Sequence, residues 1–263
     1  MDPLINSSML AYTDQGTGQP VVLLHAFPLS RRMWEETVAA WSSRFRILAP
    51  DLPGFGNSPS TTANFTMEGC AHEVNQFLQD RSVKEKIALV GLSMGGYIAF
   101  EFVRQFPEKI SGLVLAATHP RPDTEAAAKG RQETAELVLQ EGTQALAERL
   151  LPKLLGATTL AAKPEVTQRV RELIVSNNPE GIAKACLGLA SRRDSTPVLK
   201  MIEIPTLIVA GSEDVLIPEA RAVEMKQLVK KAELEFLTAC GHLVNLEQPQ
   251  TFHERVMEFL DNL

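Results

Sequence analysis

A chain of 263 residues, 44% hydrophobic and 22% charged, is large enough for one α/β domain or a core domain with an insertion, with no metal or disulfide staple required. The net charge of −6, with no basic block interleaved with aromatics, argues against nucleic acid or an acidic membrane surface as partner. No apolar run approaches the ~20 residues that a membrane span needs. Cys70, Cys186 and Cys240 are far apart and lack metal-ligand spacing, so they read as reduced thiols and no metal site is expected. Met1-Asp2-Pro3-Leu4-Ile5-Asn6 lacks the basic and apolar regions of a secretory leader, and the expected location is cytoplasmic.

In chain order, Met9-Leu10-Ala11-Tyr12 reads as an edge strand, closed by a turn over residues 14–20. Gly16-Thr17-Gly18 precedes a strand and does not open a helix, which argues against a nucleotide loop. Val21-Val22-Leu23-Leu24 is an apolar strand of the buried type that runs into His25-Ala26-Phe27-Pro28. Residues 31–42 form a helix with Trp34, Val38 and Trp41 on one side; residues 45–50 form a strand. Asp51 to Ser58 is a turn-rich loop in which Asp51 reads as a structural hydrogen-bonding residue, with a catalytic role as the other possibility. Residues 66–80 carry Met67, Cys70, Val74, Phe77 and Leu78 at helical spacing.

Ile87-Ala88-Leu89-Val90 then meets Gly91-Leu92-Ser93-Met94-Gly95, and an apolar helix follows to about residue 106. This is a G-x-S-x-G pattern between a strand and a helix. Such a turn lifts a serine hydroxyl clear of the sheet and puts the Met94 N–H at a helix N-terminus, where developing negative charge is stabilised. A βα turn with small residues for packing is the competing reading of the pentapeptide. Residues 110–117 make another buried strand. From His119 to Ile202 only helical segments appear, over residues 124–141, 143–155, 164–176 and 179–190. Alternation resumes with a strand over 204–210, a loop carrying Asp214, a helix over 219–229, a strand over 232–237, a loop carrying His242, and a closing helix over 249–260. Strands and helices alternating at this spacing predict an α/β fold with a mostly parallel sheet flanked by helices. The helical insertion belongs over the C-terminal edge of that sheet, where ligands of open α/β sheets bind.

Ser93, Asp214 and His242 thus follow three strands. Each alone has a plainer explanation: Asp214 as a turn cap, His242 as a packing histidine, Ser93 as part of a tight turn. Together they are the types that nucleophilic acyl transfer needs, because a serine hydroxyl attacks only when a base takes its proton and a carboxylate orients that base. The order Ser, Asp, His along the chain distinguishes this arrangement from two others with the same chemistry.

The sequence resembles the α/β-hydrolase fold superfamily over essentially its whole length, through His25-Ala26-Phe27-Pro28, Asp51 to Ser58, Gly91 to Gly96, Gly211-Ser212-Glu213-Asp214 with Pro218, and Gly241-His242. The resemblance implies a nucleophile at Ser93, an acid at Asp214, a base at His242 and oxyanion donors at the backbone N–H groups of Phe27 and Met94. It implies a core of residues 1–118 and 203–263 and an all-helical cap of residues 119–202, inserted after the sixth strand. The chain is most similar to small carboxylesterases and the 3-oxoadipate enol-lactonase-like group, through Gly-Leu-Ser-Met-Gly-Gly and residues 178–185. Ala26 stands where the family usually has glycine, which bears on the path of the oxyanion loop.

The expected substrate is a small-to-medium carboxylic ester or lactone, with no cofactor, in a mouth made apolar by Phe27, Met94, Leu216 and side chains of the cap. His25 and Leu216 are candidate substrate contacts. Arg121 is another, since an arginine fork near the start of the insertion suits an anionic acyl group, as it would in an enol-lactone; solvated surface is the alternative for Arg121, Arg192 and Arg193. A ligand receptor with slow turnover and a cofactor-free perhydrolase use the same scaffold and stay open as alternatives. Oligomeric state is not legible.

Overall fold

A computed structural model of the chain describes residues 10–60 and 65–263. The leader reading of Met1 to Asn6 and the start of the first strand at Met9 lie outside these residues. The chain opens with β1 (Tyr12–Gln15) and β2 (Pro20–Leu24), then a 3₁₀ turn (Arg31–Trp34) that leads into α1 (Glu35–Trp41). β3 (Arg46–Pro50), α2 (Met67–Asp80), β4 (Ile87–Leu92), α3 (Met94–Gln105) and β5 (Ile110–Ala116) follow. Five helices come next: α4 (Glu125–Leu154), α5 (Ala157–Ala162), α6 (Pro164–Val175), α7 (Pro179–Ala190) and α8 (Thr196–Leu199). The chain closes with β6 (Thr206–Gly211), α9 (Glu219–Leu228), β7 (Ala232–Leu237), α10 (Val244–Glu247) and α11 (Pro249–Asp261).

Among the described residues the strands form one sheet in the order β1-β3-β2-β4-β5-β6-β7, and β1 alone runs antiparallel, against β3. β2, β4 and β6 are buried along their whole length, because helices cover both faces and a continuous apolar run is the only pattern that fits. The strand order reverses at β2, which has β3 on one side and β4 on the other. The loops leaving β2 and β4 therefore part at the sheet's switch point and leave a crevice at their carboxyl ends.

One expectation is corrected here. The first strand among the described residues spans 12–15, with Leu10 and Ala11 outside it, so Asp14 and Gln15 pair with Leu48 and Ile47 and are not in a turn. An edge strand with one partner and mostly exposed side chains carries no apolar signature, which is why polar residues hid it. The insertion follows β5, the fifth strand among the described residues.

The helical segments of the insertion start and stop for local reasons. α4 breaks at Gly142, which adopts φ 82° and separates residues 125–141 from 143–154. α7 starts at Asn178, whose side chain accepts the Glu180 N–H at 2.8 Å, with Pro179 in the first helical position. Three ties fix the insertion over the carboxyl ends of the strands. Asn177 donates from Nδ2 to the Pro28 carbonyl after β2 at 2.9 Å and accepts the Gly56 N–H after β3 at 2.7 Å. Gly181 abuts Gly54, where an added Cβ would lie 2.0 Å from the Gly54 oxygen. The His242 N–H donates to the Leu154 carbonyl at 3.2 Å, from the loop after β7.

Candidate active site

Ser93 sits between β4 and α3 with φ 54° and ψ −110°, a conformation that an L-residue adopts only when its surroundings enforce it. The enforcement is close backbone packing. A Cβ at Gly91 would lie 2.4 Å from the Gly95 carbonyl oxygen, and one at Gly95 would lie 2.2 Å from the Leu24 carbonyl oxygen on β2. The Ser93 N–H donates to the Ala116 carbonyl of β5 at 2.9 Å, and the Thr118 hydroxyl donates back to the Ser93 carbonyl at 3.0 Å. The elbow is thus clamped from the strands on both sides, with the serine side chain left facing the cavity.

Asp214 and His242 leave neighbouring strands. β6 and β7 pair in register through Gly211 and Leu237, and beyond their ends Ser212 donates to the Leu237 carbonyl and Glu213 to that of Cys240. This carries Asp214 to His242, whose Nδ1 donates to Asp214 Oδ2 at 2.7 Å. The other carboxylate oxygen accepts the N–H groups of Leu216 and Ile217 at 2.8 and 3.0 Å. With both oxygens occupied the carboxylate is fixed in direction, and the proton it draws to Nδ1 leaves Nε2 as the basic nitrogen. Both side chains are almost wholly buried, and His242 lines the same cavity as Ser93.

The loop after β2 brings Phe27 to this cavity. No described residue accepts a hydrogen bond from the N–H of Phe27 or of Met94, which leaves both free for a ligand oxygen. Ala26 does not adopt a positive φ, so the residue that replaces the usual glycine is unstrained. His25 does not line the cavity. Its ring is fully buried, with Nδ1 on the Ala26 carbonyl at 3.0 Å and Nε2 accepting the Leu52 N–H at 3.0 Å. Burial pushes its pKa down, in keeping with a neutral ring. The expected substrate contact at His25 is therefore withdrawn; the ring ties the loop after β2 to the loop after β3. Asp51 acts in the same region as the structural reading required, accepting the N–H groups of Arg31 and Asn57 at 2.8 and 2.9 Å and pairing with the Arg31 guanidinium.

The cavity is about 500 Å³ in volume. Phe27, Met94 and Leu216 are among its lining residues. On the side of the insertion Ala127, Leu150, Leu154 and Leu189 line it together with Arg121, Arg131, Arg149 and Lys153, and Arg221 joins them from α9. Arg121 reaches the cavity but is half exposed and paired with Glu224. Arg192 is buried behind the wall, on Asp123 at 2.5 Å and 4.3 Å over the ring of Tyr97; Arg193 pairs with Glu68 at the surface. Sequence reading missed Tyr97, Arg131 and Lys153. The signal available was helical spacing: Ala127, Arg131 and Thr134, and Arg149 and Lys153, share faces of the two halves of α4. Without knowing which face turned inward, that spacing had no address.

All three cysteines are buried free thiols, and burial pushes their pKa values up, that of Cys186 to about 12. No group of three or more His, Cys, Asp or Glu side chains among the described residues is arranged to hold a metal ion, and none of the described helices is long and apolar enough to cross a membrane.

A sheet with its order reversed at β2, a strained serine after β4 and an Asp–His pair after β6 and β7 define the α/β-hydrolase class. A family model described as alpha/beta hydrolase fold matches residues 19–249, and the chain belongs to that family. It is similar to a thermophilic esterase from Thermogutta terrifontis solved with malate bound, at 38% identity and a TM-score of 0.93 over 96% of this chain and 93% of that one. The enol-lactonase from Burkholderia xenovorans LB400 aligns at 26% identity with a TM-score of 0.87, covering 96% of each chain. Among relatives by sequence, 3-oxoadipate enol-lactonase 2 of Acinetobacter baylyi is 25% identical over 224 residues, 85% of this chain and 82% of that protein.

Proposed function

We propose that the protein is a serine hydrolase of small-to-medium carboxylic esters or lactones. The observation that carries this reading is the 2.7 Å bond from His242 to Asp214 in a cavity that also receives Ser93 on its strained turn. Esterases and enol-lactonases among its relatives support it.

In this mechanism His242 Nε2 takes the Ser93 proton as Oγ attacks the acyl carbon, and Asp214 stabilises the imidazolium that forms. The N–H groups of Phe27 and Met94 hold the tetrahedral oxyanion, Met94 with the added field of the α3 N-terminus. The imidazolium returns its proton to the leaving alkoxide and an acyl-Ser93 ester remains. Water, deprotonated by His242, attacks that ester; the second tetrahedral intermediate collapses to carboxylic acid and free Ser93. For a lactone the leaving alkoxide stays on the acyl chain. Residues 119–202 serve as a cap that closes the acyl-enzyme from bulk water, which is why their ties to the loops after β2, β3 and β7 matter.

Ser93→Ala tests the assignment with a chromogenic short-chain ester. Turnover should fall by roughly 10⁴-fold or more while the circular dichroism spectrum stays that of the wild type. Retention of wild-type turnover would overturn it.

A further inference from the structure

The wall of the cavity built by the insertion and α9 carries more positive charge than its own carboxylates neutralise. Six basic side chains stand in or directly behind it: Arg121, Arg131, Arg149, Lys153, Arg192 and Arg221. Three carboxylates answer them. Asp123 is shared by Arg192 at 2.5 Å and Arg131 at 3.3 Å. Glu224 is likewise shared by Arg121 and Arg221. Glu133 meets Arg149 at 3.7 Å in an exposed pair. Lys153 has no ion-pair partner among the described residues.

Unused hydrogen-bonding capacity stands at Arg149, which meets Glu133 only at 3.7 Å, at Lys153 and at Arg131, the one that also faces the Phe27 ring. The Nε of Arg131 donates to Asp123, but neither Nη group has an acceptor among the described residues. Its guanidinium lies 5.9 Å from the centre of the Phe27 ring, so the charge hangs beside the loop after β2. A guanidinium with both Nη groups free presents two donors to a carboxylate or to a similar planar anion. His119, another lining residue, registers the same field: after burial, the charges of Arg192 and Arg221 are the next causes that push its pKa down, to about 4.

We propose that Arg131 and Lys153 form a carboxylate-binding subsite, so that the preferred esters or lactones carry a second, free carboxylate in addition to the scissile bond. The inference rests on the reading of this cavity as the place of ester hydrolysis. It moves the anion contact expected at Arg121 to two of the lining cations with unsatisfied donors. An anionic substrate also gains from long-range attraction into the cavity despite the net charge of −6, because the local excess is positive.

The test compares two ethyl esters of equal length, monoethyl glutarate and ethyl valerate, which differ in the terminal carboxylate. Wild-type kcat/KM should favour the hemiester at least tenfold at low ionic strength, and that preference should shrink in ~0.5 M salt through KM of the hemiester alone. In the double variant Arg131→Gln, Lys153→Gln the preference should fall tenfold or more, with Arg131→Lys recovering part of it. A preference below twofold in the wild type, or one unmoved by the double variant, would overturn the proposal.

Calorimetric binding of glutarate and valerate to the Ser93→Ala protein separates the two readings. Tenfold tighter binding of glutarate supports the subsite even if no ester is turned over, in which case only the hydrolase reading falls. Equal binding of the two acids, with both esters hydrolysed, sinks the subsite and leaves the hydrolase reading standing.

Discussion

Glu247 Oε2 accepts the N–H of Gly241 at 3.0 Å, one residue before His242. The same oxygen accepts the N–H of Gly156 at 2.8 Å, and Oε1 accepts that of Leu243 at 3.0 Å. One fully buried carboxylate therefore holds both neighbours of His242 and the segment between α4 and α5. The backbones it joins are in direct contact, since a Cβ at Gly241 would lie 2.2 Å from the Gly156 nitrogen.

Glu247→Gln keeps the shape and removes one acceptor. Whichever way the amide turns, its NH₂ faces at least one of the three N–H groups, leaving a buried donor unpaired. Destabilisation of about 2–3 kcal/mol is expected, read from urea unfolding, with a fall in kcat because His242 loses its restraint. A variant with wild-type stability and kcat would show that the three bonds are dispensable.

Gly95 and Gly130 make a paired prediction. A Cβ at Gly95 meets the carbonyl of Leu24 on a central strand, which cannot move aside, so Gly95→Ala should cost about 2–3 kcal/mol and most of the activity. Nothing lies within 4 Å of a Cβ built at Gly130 in α4, so Gly130→Ala should raise stability, by up to about 1 kcal/mol, through helix propensity. Equal unfolding midpoints for the two variants would contradict the packing of the elbow on β2.

Acid should weaken the fold through its buried histidines. His119 stands at about 4 when folded against 6.5 as its ordinary value. Between those values the unfolded chain holds a proton that the folded chain refuses, so this contribution is complete above about pH 6.5 and is lost as the pH falls towards 4. A shift of that size is worth at most about 3 kcal/mol. His119→Gln should flatten the fall in urea midpoint between about pH 7 and 4.5. The slope should not vanish, because burial pushes His25 and His253 down as well. An identical slope in variant and wild type would remove His119 from the account.

Much of the molecule was legible without coordinates, and the legible parts share a cause. β4 and β6 are buried on both faces, so their apolar runs announce them. α7 begins at Asn178-Pro179 and α4 divides at Gly142, because capping and chain breaking are decided by residues next to each other in sequence. Ser93, Asp214 and His242 stood out as candidates because each follows a strand in a turn whose glycines the backbone geometry demands. What failed to show is equally uniform. β1 is an edge with polar side chains, and the short helices α5, α8 and α10 are held by their neighbours more than by their own composition.

The sequence by itself determined the strand–helix alternation, the serine turn, the order of Ser93, Asp214 and His242 after successive strands, and a helical insertion after a buried strand. Those are local or periodic properties, written within a few residues of one another. Only the tertiary structure decided that Asp214 and His242 lie 2.7 Å apart, that His25 is a buried tie between two loops, and that the cavity wall is basic. Each of these depends on which face of an element turns inward and which residues distant in sequence it meets, and helical spacing alone leaves that rotation free. The charge that α4 brings to the pocket is set by that rotation.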